Sequence, residues 1–472
     1  MGSCRGTIAL AVAAAALLLP ARGFAGEFGP RYFIERIDIR GNDSTDGAII
    51  RGQLLVEAGE TLGADDERVS FSRFRVLALG YFSDVQIHLE RGHARGHGVL
   101  VVEVVERGTL ILNQLFFGTS DAVPSWGGID VTENNFGGRG VGLGGAFVFA
   151  EKGNVPLARP QRAFRLRFAD AHLRQSRFSV AATLLYNEAS EFFRTSGKSD
   201  SESPGDFTAL SYRRIGGITG AGVELGPWSR LSLDYRFERV QGDFTEPLLR
   251  TLPGGDRAQI DLHLRPGDTN LSTVTATWER DTRSDPVLPV SGSHIALAGE
   301  IGHGALGSSY TFYKLSLQYQ GWFRLRWGHV ISLVGIVGAI AGDAPLFDRY
   351  FIGDIDPLVP SRALGLVLST RPARDFLGDG INRNRYGTLA GRVGIEYLWP
   401  IFHGGRYFYG GHIFAGFGGV ALTDASDPAL TGPGSVRDAL PVDVYFDAGL
   451  LLDSYIGVFN FSIANFLGRV PF

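Results

Sequence analysis

Three histidines, His88, His93 and His97, stand close together in the chain, as the ligands of a transition metal often do. No cysteine or carboxylate accompanies them at a matching spacing, so they read as solvated loop residues and no metal or other cofactor is expected. Gly140-x-Gly142-x-x-Gly145 has the spacing of a dinucleotide phosphate turn, but that turn must open a helix. No helical pattern follows it, and the glycines read as strand residues that allow bends and close packing. A Gly-x-Ser-x-Gly elbow, a His-Glu-x-x-His pair and a phosphate loop are all missing. The one cysteine is Cys4 and the one methionine is Met1, which excludes disulfide frameworks and thiolate chemistry in a chain lacking its first segment. The sequence reads as that of a non-enzyme.

Composition narrows the class further. Hydrophobic residues make up 44% and charged residues 20% of 472, enough to bury a core. The 65 glycines follow no triplet period, and with 33 Phe and 15 Tyr they suit strands better than collagen. A net charge of -4 argues against a dedicated nucleic-acid binder. Residues 1–25 read as a signal peptide: Arg5 is followed by the apolar run Ile8 to Leu19 and by Gly23-Phe24-Ala25. Cys4 precedes the apolar run, which speaks against a lipoprotein site. Beyond Ala25 no stretch of 18 apolar residues occurs, so any crossing of a membrane must be made by strands.

Residues 31–107 form a small mixed unit. Phe33 to Arg40 alternates like a strand and stops at Gly41-Asn42-Asp43. Ser44 or Thr45 is expected to cap a helix running to about Val56. Asp65 and Asp66 open a second helix whose apolar positions Val69, Phe71, Phe74, Leu77 and Ala78 recur at helical spacing, with Gly80 as its stop. Strands Phe82 to Leu89 and Val99 to Val105 follow, giving the order β-α-α-β-β. The strings Ile37-x-Ile39-x-Gly41-Asn42, Leu79-Gly80-Tyr81-Phe82-Ser83-Asp84-Val85 and Val99 to Glu106 resemble a POTRA domain. That module is the periplasmic part of the BamA-like outer-membrane assembly-factor family. One copy is seen, and its exposed sheet edge could take up an extended peptide through backbone hydrogen bonds.

From residue 108 to 472 the period is two. Leu231, Leu233, Tyr235 and Phe237 interleave with Ser232, Asp234, Arg236 and Glu238, which sets one face in lipid and the other in a polar interior. Tyr313 to Tyr319, Phe178 to Tyr186 and Val393 to Trp399 repeat the pattern. At about 23 residues per strand and connection, this stretch holds roughly sixteen strands. The expected fold is mainly β: a transmembrane antiparallel β-barrel of about sixteen strands behind one small α+β POTRA domain. Long interruptions fall near residues 187–209, 240–268 and 341–390.

The same family resemblance runs along the barrel. Trp126-Gly127-Gly128 through Asn134-Asn135-Phe136-Gly137-Gly138 is similar to the family's first strand and hairpin, Asp170 to Asn187 to the strand that follows, and Trp278 to Asp281 with Pro289-x-x-Gly292 to its mid-barrel hairpin. Phe472 is similar to its terminal aromatic. Arg349 to Asp354 and Ser361 to Gly365 lie where the family keeps a sixth extracellular loop that folds into the barrel. Arg362 matches that loop's arginine, whereas Asp354, Ala363 and Leu364 depart from its pattern. The resemblance implies an acidic partner for Arg362 inside the barrel. Strand parity turns Glu396 inward between Ile395 and Tyr397 and makes it the first choice, with Asp447 the second.

A second expected site is the seam, where a first strand near Gly127, Asn134 and Asn135 would meet a last strand carrying Phe459, Phe461, Gly468, Pro471 and Phe472. Pro471 cannot donate to a ladder, so the seam is the easiest place to open. The implied function is a factor that receives unfolded β-barrel proteins through its POTRA domain and inserts them at the seam. Its partners would be the outer-membrane bilayer, unfolded client proteins, and periplasmic chaperones or accessory lipoproteins, without nucleic acid. A polypeptide-secreting transporter is the alternative reading, and a passive pore the third. Relatives of the secreting kind carry two POTRA copies and a plug helix, for which residues 26–30 leave no room.

Overall fold

The computed structural model describes residues 30–63, 66–173, 176–196, 203–244, 246–251, 255–259, 262–285, 288–355, 362–370, 386–405, 407–423 and 442–466. The signal-peptide reading of residues 1–25 lies outside them, as do Gly468, Pro471 and Phe472.

The N-terminal unit runs β1 (Arg31–Arg40), α1 (Gly47–Arg51), β2 (Thr61–Gly63), α2 (Glu67–Ala78), β3 (Phe82–Arg91) and β4 (His97–Glu106). Its sheet has the order β2-β1-β4-β3, with β1 and β4 parallel and the other pairs antiparallel. Helix α2 starts as expected, at Asp66, whose carboxylate accepts from Arg68 N at 2.9 Å. The first helix differs. It is capped by Asp46, not by Ser44 or Thr45, and ends at Arg51, because Gly52 follows and the chain turns to make β2. Strand β2 has only three residues, too few to show a period of two in the sequence. The core under the helices joins Ile50, Val76, Leu77, Val85, Val102 and Val104, all essentially inaccessible.

The rest is a single antiparallel sheet of fifteen strands: β5 (Leu110–Gly118), β6 (Trp126–Glu133), β7 (Val141–Ala150), β8 (Gln161–Asp170), β9 (Phe178–Arg194), β10 (Phe207–Gly226), β11 (Ser229–Asp243), β14 (Gly267–Asp281), β15 (Gly292–Gly302), β16 (Phe312–Arg324), β17 (Val330–Gly342), β20 (Leu389–His403), β21 (Phe408–Thr423), β22 (Val442–Ser454) and β23 (Gly457–Phe466). Two tiny hairpins lie outside it, β12 (Leu249–Thr251) with β13 (Arg257–Gln259) and β18 (Tyr350–Phe351) with β19 (Tyr386–Gly387), and α3 (Ile352–Ile355) follows β18 directly. No helix among the described residues is long and apolar enough to cross a membrane.

Alternation decides the faces. Leu233 and Phe237 are 58% and 44% exposed, while Glu238, on the opposite phase of the same strand, is fully buried inside. The lipid-facing rows Leu315, Leu317, Val393 and Ile395 are likewise exposed, as an outward band requires. Two of the expected interruptions begin inside strands: β9 continues to Arg194 and β11 to Asp243, with β10 pairing along both, because polar residues at the outer ends of strands look like loop sequence.

Candidate functional site

The segment between β17 and β20 enters the barrel. Leu346, Phe347 and Asp348 sit on the inner wall and are nearly inaccessible. Arg236 of β11 donates to both oxygens of Asp348 at 2.8 and 2.9 Å and to Glu238 at 2.7 Å. Glu238 also takes two bonds from Arg214 of β10, at 2.7 and 3.0 Å, and Lys314 of β16 donates to the Asp348 carbonyl at 2.9 Å. Phe347 is held between the Arg214 guanidinium, 3.9 Å above its ring, and the stacked ring of Tyr212. Alternating charges on the inward phase of β10 and β11 thus form a socket for the loop.

The far half of the same loop reaches β9 and β8, the next strands along the wall from β10, and the segment after β5. Asn187 Nδ2 donates to Leu364 O at 2.8 Å, Gln161 Nε2 to Val367 O at 3.1 Å and Ser120 Oγ to Leu368 O at 2.6 Å. Tyr386 donates to Glu191 at 2.6 Å. The loop therefore lines the inner wall from β16 to β9 and β8, and it buries Leu366 completely.

Arg362 lies in this plug, but its partner is neither residue expected. Its guanidinium donates to Asp354 at 2.5 Å, eight residues earlier in the same loop, and to Phe347 O at 3.0 Å, with Phe351 and Tyr386 rings beside it. Glu396 does face inward, as parity required. It sits instead with Asp447: on one row of the sheet the register aligns Glu396, Gly416 and Asp447 on neighbouring strands. A Cβ on Gly416 would fall 2.1 Å from Asp447 Oδ1, so a larger residue there would push the Asp447 carboxylate aside. The expected lock failed because Asp354 reaches the arginine over a shorter loop path.

The seam is also displaced from its expected place. Gly127 lies in β6, which pairs with β5 on one side and β7 on the other, and Asn134 and Asn135 form the turn after it. The preceding run Leu110 to Gly118, with an irregularity at Asn113, is the true first strand. Strand β23 carries Phe459 and Phe461, stacked on each other at 6.2 Å. Every neighbouring pair in the sheet is antiparallel and fifteen strands are described, so β5 and β23, at its two ends, run in the same direction. An antiparallel closure needs an even number. Among the described residues one backbone bond joins the ends, Leu112 N to Ile456 O at 3.0 Å, beside the buried pair Arg107–Asp453 at 2.8 Å.

Asn135 also secures the N-terminal unit. Its Nδ2 donates to Thr45 Oγ1 of that unit at 2.9 Å, while Gly138 O accepts from Asp46 N. Gly138 has φ +73° and its missing Cβ would strike Ser44 O, so the turn docks only as glycine. Trp228, in the β10–β11 turn, wedges against Phe71 and Phe74 of α2, and Arg75 pairs with Glu224 at 2.9 Å. The small unit is fastened to the end of the barrel where β5 begins.

Residues 135–468 match the Omp85 superfamily domain. The chain belongs to the Omp85 superfamily. A protein of Nitratidesulfovibrio vulgaris, the outer membrane protein assembly factor BamA, is 24% identical over 377 residues, which cover 78% of this chain and 42% of that protein. The chain therefore spans less than half the length of this relative. Its fold is similar to the crystal structure of BamA from Haemophilus ducreyi lacking POTRA domains 1–3 (TM-score 0.50, 14% identity, 93% of this chain and 82% of that one). It is similar also to CdiB from Escherichia coli (TM-score 0.56, 11% identity, 92% and 73%). This Omp85 barrel thus lies in the outer membrane, with its POTRA-like domain on the periplasmic side. The periplasmic rim is where Trp228, Asn135 and Arg107 hold that domain.

Sequence reasoning missed Arg107, Arg236, Asp348 and Trp228. The inward charges of β11 are visible as a pattern, but nothing in the spacing links Arg236 to an aspartate 112 residues away. His97 is met by Glu35 at 3.0 Å, across the β1–β4 pairing that brings their strands together.

Proposed function

We propose that this protein assembles β-barrel proteins into the outer membrane: its POTRA-like domain receives unfolded clients and the seam accepts their strands. The reading rests on the sparse join between β5 and β23 among the described residues. Among the described residues β5 and the start of β23 share one backbone bond where neighbouring pairs share whole ladders, so each offers a row of unsatisfied donors and acceptors. A client strand could pair with such an edge through backbone hydrogen bonds. Burial of its lipid-facing side chains and formation of its ladder drive the step without a nucleotide.

The family membership and the resemblance to BamA support the same reading. The plug inside the lumen weighs against the passive pore. A secreting transporter would move its cargo through that lumen, so the plug would have to leave.

Cysteines placed at Leu112 and Ile456, whose backbones are bonded at 3.0 Å, can lock the seam, since the only native cysteine is Cys4. Oxidised protein in liposomes should retain its fold and lose the ability to fold a client barrel, and reduction should restore it. A locked seam with full activity would reject the reading. Depletion in cells separates the alternative: outer-membrane proteins should disappear, whereas a secreting transporter would leave one secreted protein behind.

A further inference from the structure

Between the tip of the plug and the β5–β6 wall lies a cavity of about 360 Å³ whose lining is mostly polar. Its charged lining residues are Asp130, Arg165, Arg214, Asp354 and Arg362. Four of the five are already balanced. Asp130 is held by Arg167 at 2.8 Å and by Asn113 at 2.8 Å, Arg214 by Glu238, and Arg362 by Asp354. Arg165 of β8 is different. It is partly buried and makes no hydrogen bond or ion pair with any described residue, and its cross-strand neighbours are Ala146 and Leu185.

A guanidinium cannot resolve such a position by losing its proton, as a lysine could. Drawn partly out of water with no hydrogen-bond acceptor among the described residues, it is a group that an anion with accepting oxygens would satisfy. We propose that this cavity is a carboxylate-binding site, with Arg165 as the anchoring residue and an acidic side chain or chain terminus of a polypeptide as the ligand. Asp130 and Glu238 act on Arg165 only at a distance, and a carboxylate matches the open guanidinium fork with two bonds. The cavity exceeds what a single ion fills, so there is room for the carbon stem that carries the group. Its lining includes Gln114 and Phe116 of β5, the first strand of the sheet, and Leu364 and Gly365 of the plug. A bound carboxylate would therefore join the wall beside the seam to the loop inside the lumen. This site stands independently of which strands the seam accepts.

The test uses the full chain in detergent micelles and a fluorescein-labelled peptide, Gly-Gly-Gly-Gly-Glu amide, with the glutamine peptide as its neutral twin. Anisotropy should show saturable binding of the glutamate peptide, about tenfold tighter than the glutamine peptide. Arg165→Gln should lose about tenfold in affinity, and Arg165→Lys should retain part of it, both with the heat-modifiable gel mobility of a folded barrel. Sodium acetate should displace the peptide at concentrations where sodium chloride of equal ionic strength does not. Equal binding by the wild type and Arg165→Gln, or displacement by chloride as effective as by acetate, would overturn the site. Acetate binding that depends on Arg165 without any peptide binding would overturn its assignment to a polypeptide ligand.

Discussion

Arg236 on the barrel wall grips both carboxylate oxygens of Asp348 in the inserted loop, at 2.8 and 2.9 Å, from a position itself enclosed by Glu238 and Glu300. Both side chains are nearly out of water, and removing one partner strands the other. Asp348→Ala should therefore cost about 3–5 kcal/mol of loop attachment. Limited proteolysis of the folded barrel should then cut within residues 343–355, where the wild type resists. Arg236→Ala should have a similar effect, and the double variant should cost much less than the sum of the two.

The loop arginine offers a test of partnership. Arg362→Glu should loosen the plug, and Asp354→Arg added to it should recover much of the loss. Glu396→Arg added instead should recover nothing, since Glu396 lies by Asp447 and not by the arginine. Asp354 is 42% exposed, so the pair itself is worth about 1 kcal/mol and the readout should be loop protection, not global stability.

Trp228 fixes the POTRA-like domain to the rim. Trp228→Ala should release its contacts with Phe71 and Phe74 at a cost of about 2–3 kcal/mol, below the usual core value because the ring is only partly buried. Spin labels on α2 and on β11 should report a broad distance distribution in place of a narrow one, with the barrel unchanged.

Glu106 provides a pH dependence at the end of β4. Burial alone would raise its pKa, but the bonds donated by Thr45 N at 2.7 Å and Ser44 N at 3.0 Å hold it below the usual glutamate value. A depressed folded-state pKa means the stabilisation is complete above the ordinary glutamate pKa and is lost as pH falls through the lowered one. Exchange protection of the Ser44 and Thr45 amides should hold through neutral pH and fall below about pH 4.5. Glu106→Gln should lower that protection at neutral pH and flatten its pH profile.

The residues themselves determined that strands cross the membrane here and which of their side chains meet lipid, because a period of two is a local property of a strand. They also marked the POTRA-like unit through its turns and helix caps, such as Gly80 and Asp66. Neighbouring residues could not disclose which side chains the closed sheet would bring together. Asp354 in place of Glu396, the Arg236 socket and the unmatched Arg165 all depend on register summed over many strands and on a loop path through the lumen. Which edges the sheet leaves at its ends is decided by pairing along its length: among the described residues one unnoticed strand, Leu110 to Gly118, moves the seam to a different pair of edges. Local pattern sets each strand's faces, and only closure in three dimensions sets what those faces touch.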